Sequence, residues 1–160
     1  MTTEKRLELD RLEAQTWKRM VRAERFELVD EHGKARAVLA LQKNGQPLLT
    51  LEDQNGKARA VLCLVESGQP VLGLSDQNGK TRAVLRLQSD DGRPGLELYD
   101  QNGESRAVLG LLSDGQPGLG LYDQNGEKRA VLGLRSDGSD LVLYDQSGKL
   151  VWSALPVKIP

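Results

Sequence analysis

Cysteine, histidine and aromatic side chains are nearly missing from this chain. A single cysteine, Cys63, excludes any intrachain disulfide and leaves the redox compartment unread. A single histidine, His32, removes the commonest general base and the commonest metal ligand from all but one position. Aromatic residues make up 4%, too few for a base-stacking platform or a carbohydrate-binding strip. The net charge is −1, so no basic field draws in nucleic acid or anionic lipid. No apolar run approaches the length of a membrane span. Residues 1–25 are charged throughout and lack the apolar stretch of a secretion signal. These absences lead to the expectation of a soluble chain without cofactor, nucleic-acid or membrane partner. It is cytoplasmic by default, with signal-independent export or a place in a phage particle left open.

What is present is one unit repeated. From Asp30 to Asp145 the sequence reads D-x-x-G-x-x-R-A-V-L-x-L, then a short turn, then P-x-L-x-L, then the next Asp. The anchoring residues are Asp30, Asp53, Asp76, Asp100, Asp123 and Asp145, giving periods of 23, 23, 24, 23 and 22 residues. A period of this length marks a stacked array in which each unit completes its neighbour's core. Three segments follow. Residues 1–24 lack Gly and Pro and are rich in Leu, Glu, Arg and Lys, which predicts a helix. Leu7, Ala14 and Val21 fall seven apart there, so either a short coiled coil or a packed amphipathic helix fits. Residues 25–146 carry the repeats. Residues 147–160 depart from the pattern: Val151 and Trp152 replace the repeat Arg and Ala, and Pro156 and Pro160 follow, as in a cap.

Inside a unit the apolar residues alternate. Ala37, Leu39 and Leu41 share one parity, and Pro47, Leu49 and Leu51 share it after the turn, a strand signal. Asp53-Gln54-Asn55-Gly56 and Gln42-Lys43-Asn44-Gly45 have turn chemistry at either end. Hairpins in series predict an all-β antiparallel meander of about eleven strands. The alternative is a single-chain β-solenoid, in which Arg36, Arg59, Arg82, Arg106 and Arg129 would stack as like charges. In the meander, setting Leu39 opposite Leu49 places Arg36 opposite Glu52 and Arg59 opposite Ser75. Arg82, Arg106 and Arg129 then face Tyr99, Tyr122 and Tyr144.

The meander has an unavoidable consequence. Twenty-one leucines from Leu28 to Leu143 fall on one face. That face covers on the order of 1,000 Å², more than a soluble monomer leaves open. Self-association follows, as a sandwich or a triangular prism. The Ala positions (Ala37, Ala60, Ala83, Ala107, Ala130) and Pro positions (Pro47, Pro70, Pro94, Pro117) lie toward the edges of the leucine rows. Small residues there suit corners, so a homotrimeric β-prism is the preferred expectation.

Chemistry is sparse. His32 sits in a turn where other units carry Asn or Ser. Cys63 has no evident base to activate it. Each Asp turn offers one carboxylate, which backbone capping accounts for without calcium. No catalytic, metal or cofactor residues are therefore assigned. The candidate partner-binding residues are Arg82, Arg106, Arg129, Tyr99, Tyr122 and Tyr144, an Arg/Tyr stripe on the outer face, with Gly110, Gly120 and Gly133 giving the rings bare backbone to lie on.

The unit Tyr99-Asp-Gln-Asn-Gly-Glu-Ser-Arg-Ala-Val-Leu-Gly-Leu, closing with Gly115-Gln-Pro-Gly-Leu-Gly-Leu-Tyr-Asp123, resembles bacterial tandem-repeat proteins of uncharacterised function over residues 26–154. It is loosely similar to trimeric β fibre shafts of phages and viruses, and its Tyr-Asp-x-x-Gly core to the YD repeats of Rhs toxins. The resemblance implies no catalytic residues. The expected function is a non-enzymatic structural scaffold, a rigid β-repeat homo-oligomer. The alternative is a binding module whose Arg/Tyr stripe holds a protein or polymer partner.

Overall fold

The computed structural model describes residues 5–6, 21–88, 91–135 and 138–154. The helix expected over 1–24 lies mostly outside these, with Lys5 and Arg6 helical and residues 21–24 not. Twelve strands follow. The first four are β1 (Arg25–Val29), β2 (Ala35–Leu41), β3 (Pro47–Glu52) and β4 (Ala58–Leu64). Next come β5 (Pro70–Ser75), β6 (Thr81–Leu87), β7 (Pro94–Tyr99) and β8 (Ser105–Leu111). The last are β9 (Pro117–Tyr122), β10 (Lys128–Arg135), β11 (Gly138–Tyr144) and β12 (Leu150–Ala154). They form one antiparallel sheet in chain order, so each unit is a pair of hairpins and the solenoid is set aside. The sheet does not close on itself: β1 and β12 are its two edges. Of the proposed cap, residues 147–154 supply a turn and β12, and 155–160 lie outside the described residues.

Both kinds of turn share one hydrogen-bond pattern. At the Asp end, Gly56 N–H donates to the Asp53 carbonyl (2.9 Å) and Asp53 N–H to the Lys57 carbonyl (2.9 Å). At the other end, Gly45 and Gln42 make the same two bonds to Gln42 and Gln46. Gly56 stands at φ 76°, the left-handed region that a three-to-five-residue hairpin turn requires. The two ends differ by one residue. Beyond each Asp turn the register slips: Leu51 faces Ala60 while Glu52 faces Ala58, so Arg59 is an extra residue in the ladder. The same slip makes Arg36, Arg82, Arg106 and Arg129 bulged, and Val151 at the last unit. The changes in repeat length fall in turns opposite the Asp ends. Gly92 N–H bonds Gln88 across the longer one, and Arg135 pairs with Gly138 at the shorter.

Register aligns the leucines into rows. Phe26, Leu39, Leu49, Leu62, Leu72, Leu85, Leu96, Leu109, Leu119, Leu132, Leu141 and Ala154 are consecutive cross-strand partners. Beside this row runs one of alternating Leu and Ala, from Leu28 and Ala37 to Leu143 and Trp152. The third row pairs Leu with Pro, as in Leu64 with Pro70 and Leu111 with Pro117. The opposite face carries Val38, Thr50, Val61, Gly73, Val84, Glu97, Val108 and Gly120 in its middle row. Among the described residues there is almost no core. Val38 and Thr50 are the buried hydrophobic and polar residues, and no described side chain is fully buried.

Candidate functional site

The leucine face is the largest chemical feature of the molecule. Leu62, Leu85 and Leu109, in the middle of the central row, are 47%, 48% and 49% exposed. No described element lies over them, because the sheet is a single layer. Leucines in a solvated pleated face forfeit most of the burial that makes them useful.

The second feature is the edge formed by the Asp turns. In each, one carboxylate oxygen caps the turn's own backbone: Asp53 Oδ1 accepts from Asn55 N–H (2.8 Å) and Lys57 N–H (3.1 Å). The other oxygen takes the bulged arginine six residues on. Arg82 Nε donates to Asp76 Oδ2 at 2.8 Å, Arg106 Nε to Asp100 Oδ2 at 2.9 Å, and Arg129 Nε to Asp123 Oδ2 at 2.8 Å. A bulge re-aims its side chain, and here it turns the guanidinium back onto the turn it has just left. The guanidinium then reaches onward to the next turn. Arg36 donates to the Asp53 carbonyl, Arg106 to those of Asp123 and Gln124, and Arg129 to those of Asp145 and Gln146. Lys34 and Lys57 add longer links to Gln54 and Gln77. The Arg row is thus a stitch running along the Asp edge. Three units vary: Arg82 holds Asp76 without the onward bond, Arg59 Nη1 stays 3.9 Å from Asp53 Oδ2 with no hydrogen bond, and Asp145 takes the Ser147 hydroxyl where Arg is replaced by Val151.

This corrects the pairing expected from register alone. Arg82, Arg106 and Arg129 spend their charge on Asp76, Asp100 and Asp123, not on Tyr99, Tyr122 and Tyr144. The tyrosines find other partners. Tyr99 donates its hydroxyl to Glu97, and its pKa is pushed up to about 12 by desolvation first and that carboxylate second. Tyr122 lies back over Gly120, where an added Cβ would sit 3.0 Å from its hydroxyl oxygen. Bare backbone under the ring was legible in sequence for this pair. Gly73, two residues before a serine, has open space in the same slot. We therefore expect Gly120→Ala to destabilise the chain with Tyr122 present and to be neutral or stabilising in a Tyr122→Ser background. The coupling should be on the order of 1 kcal/mol by chemical denaturation of the four variants.

The Asp carboxylates are held below the ordinary carboxylate value. At Asp30 and Asp53 the strongest cause is the backbone N–H of Lys34 and Lys57. At Asp76, Asp100 and Asp123 the largest effect is lost hydration, which pushes upward, and the backbone N–H groups and Arg together outweigh it. At Asp145 the Ser147 hydroxyl leads. A depressed folded-state pKa stabilises fully above the unfolded value, about 3.9, and the gain is lost as pH falls through the folded values. Melting temperature should therefore hold steady from neutrality to about pH 4 as far as these groups are concerned, and drop below it.

Beside Tyr122, Gly95, Gly110, Gly118 and Gly133 pair across β7 to β10 and floor an open trough of about 260 Å³. Arg86 and Arg93 on its rim are already engaged by Glu97 and Asp91. His32 is exposed in its turn, 3.7 Å from Glu31, and Cys63 sits between Leu48 and Val71 on the outer face. Among the described residues no three His, Cys, Asp or Glu converge on a metal position. No described helix is long and apolar enough to cross a membrane. No protein-family model matches the sequence, and no curated protein matches it.

Proposed function

We propose that this chain is a non-enzymatic structural protein whose leucine faces close on one another to make a rigid β-repeat homo-oligomer, a three-sided prism. One observation carries the reading: an unbroken leucine row across ten consecutive strands, β2 to β11, most of it more than a third exposed and ended by Phe26 and Ala154. Twelve strands at about 4.8 Å make a face roughly 50 Å long, of the size stable interfaces use per partner. The two flanking rows support parallel cyclic closure. At the level of β3 they hold Leu51 and Pro47, and at β4 they hold Ala60 and Leu64. The alternation continues, so where one sheet's Leu/Ala row meets its neighbour's Pro/Leu row, each level pairs one large side chain with one smaller one. That is the arrangement close packing needs.

Light scattering of the intact protein tests this. The expected mass is about 53 kDa, three times the 17.6 kDa chain. Two copies would replace the prism by a sandwich, and a concentration-independent monomer would remove the reading altogether. The Arg/Tyr stripe as a docking surface is the weaker reading, because each guanidinium in it already has a carboxylate. Salt-sensitive binding of a partner, lost on replacing Arg82, Arg106 and Arg129 by Ala in a chain that still assembles, would revive it.

A further inference from the structure

The two edge strands carry a second kind of complementarity, independent of how the leucine faces close. β12 occupies the place in the unit that β2 and β4 hold, and β1 the place of β3 and β5. The backbone groups open on the outer edge of β12 are therefore those that bind β2 to β3, and β1 presents the matching set. Laying β12 on the β1 of a second copy in the β2–β3 register sets Trp152 against Leu28 and Ala154 against Phe26. Inside the array the second of these positions is Leu on Leu. At the ends one side chain is larger and the other smaller, so the pair compensates.

Charge agrees with shape. Within the array Lys34 and Lys57 reach across to the backbone of Gln54 and Gln77, the residue after the next Asp. The equivalents at the junction are Lys149 from one copy and Glu31 from the other. Glu31 alone of the six residues after the anchoring aspartates is acidic; the other five are Gln. The position of Lys149 is Glu in the two preceding units, at Glu104 and Glu127, and returns to Lys at the end. A cation and an anion thus stand where an end-to-end contact would bring them together. β12 also lacks the usual guards of a free edge: Leu150, Val151 and Trp152 are 51%, 57% and 48% exposed, and no charge or proline falls among its five residues.

We propose that copies join head to tail, β12 of one onto β1 of the next, extending the meander as an open-ended filament. Such a contact is heterologous and does not close, so growth along the sheet axis follows. Sedimentation velocity of the full chain over a wide concentration range tests it. Particles should lengthen with concentration beyond the closed unit. Lys149→Glu should raise the concentration needed by about threefold or more, and adding Glu31→Lys should restore it. One particle size at every concentration, or growth indifferent to Lys149→Glu, would overturn the proposal while leaving face-to-face closure standing. If Leu109→Glu leaves the closed unit unchanged while lengthening still responds to Lys149→Glu, the end contact is upheld and the prism is the reading that falls.

Discussion

Replacing Leu85 and Leu109 together by Glu will leave a folded chain that no longer closes face to face, and light scattering at concentrations below those of end-to-end growth will report the single-chain mass. Both residues lie in the central leucine row and point away from the opposite face, 48% and 49% exposed in the lone sheet. On a free sheet a carboxylate at such a position meets water and costs little. In a closed prism each substitution brings three like charges into an apolar interior, where an unpaired ion is expensive even after relaxation. Removing each leucine also forfeits part of the roughly 1.5–3 kcal/mol its burial supplies. The two effects add at every copy, so association should weaken by at least about a hundredfold, more than 2.7 kcal/mol. Circular dichroism separates this from unfolding: strand content retained with assembly lost is the expected pair. Glu at Leu85 and Leu109 with assembly unchanged would mean that the leucine face stays in water.

Why so much of this architecture could be read from one sequence has a physical reason. The period-two alternation and the Gly-closed turns each recur in every unit, so local signals that are ambiguous once become decisive by repetition. The strand boundaries, the leucine face and the Leu39–Leu49 register all follow from that pattern. The sheet has one strand more than the expected eleven because Leu150-Val151-Trp152 loses the Arg-Ala signature of the other strands yet still pairs with β11. The Arg partners differ from those the register predicts for another reason. Counting across β2 and β3 is correct as far as it goes, yet it ignores that Arg36 is bulged in the other hairpin, against β1. The signal was in the sequence all the same. Asp and Arg stand six apart in five units, and the pair is lost only where Val151 follows Asp145. Constant spacing between opposite charges across a tight turn points to each other before it points to anything on a neighbouring strand.

That stitch sets the second large expectation. Arg106→Ala should destabilise the chain by about 2–3 kcal/mol, since it removes charge-assisted bonds to Asp100 and to the carbonyls of Asp123 and Gln124 from a group only 22% exposed. Arg106→Lys should recover only part of the loss. An ammonium is a point donor on a flexible stem and does not reproduce a planar fork that holds a carboxylate on one side and a carbonyl on the other. Arg59→Ala is the internal contrast. Its Nη1 sits 3.9 Å from Asp53 and has no hydrogen-bond partner, so the same truncation there should cost less than half as much. Denaturant titrations of the three variants, followed by tryptophan fluorescence, give the ranking. If Arg59 and Arg106 prove equal, the contribution comes from the aliphatic stems lying on the sheet and not from the guanidinium's bonds. If Arg106→Lys matches the parent, charge alone fastens one turn to the next. The expected order, Arg106→Ala worst and Arg59→Ala mildest, would mean that directional bonds along the Asp edge keep a coreless sheet in register.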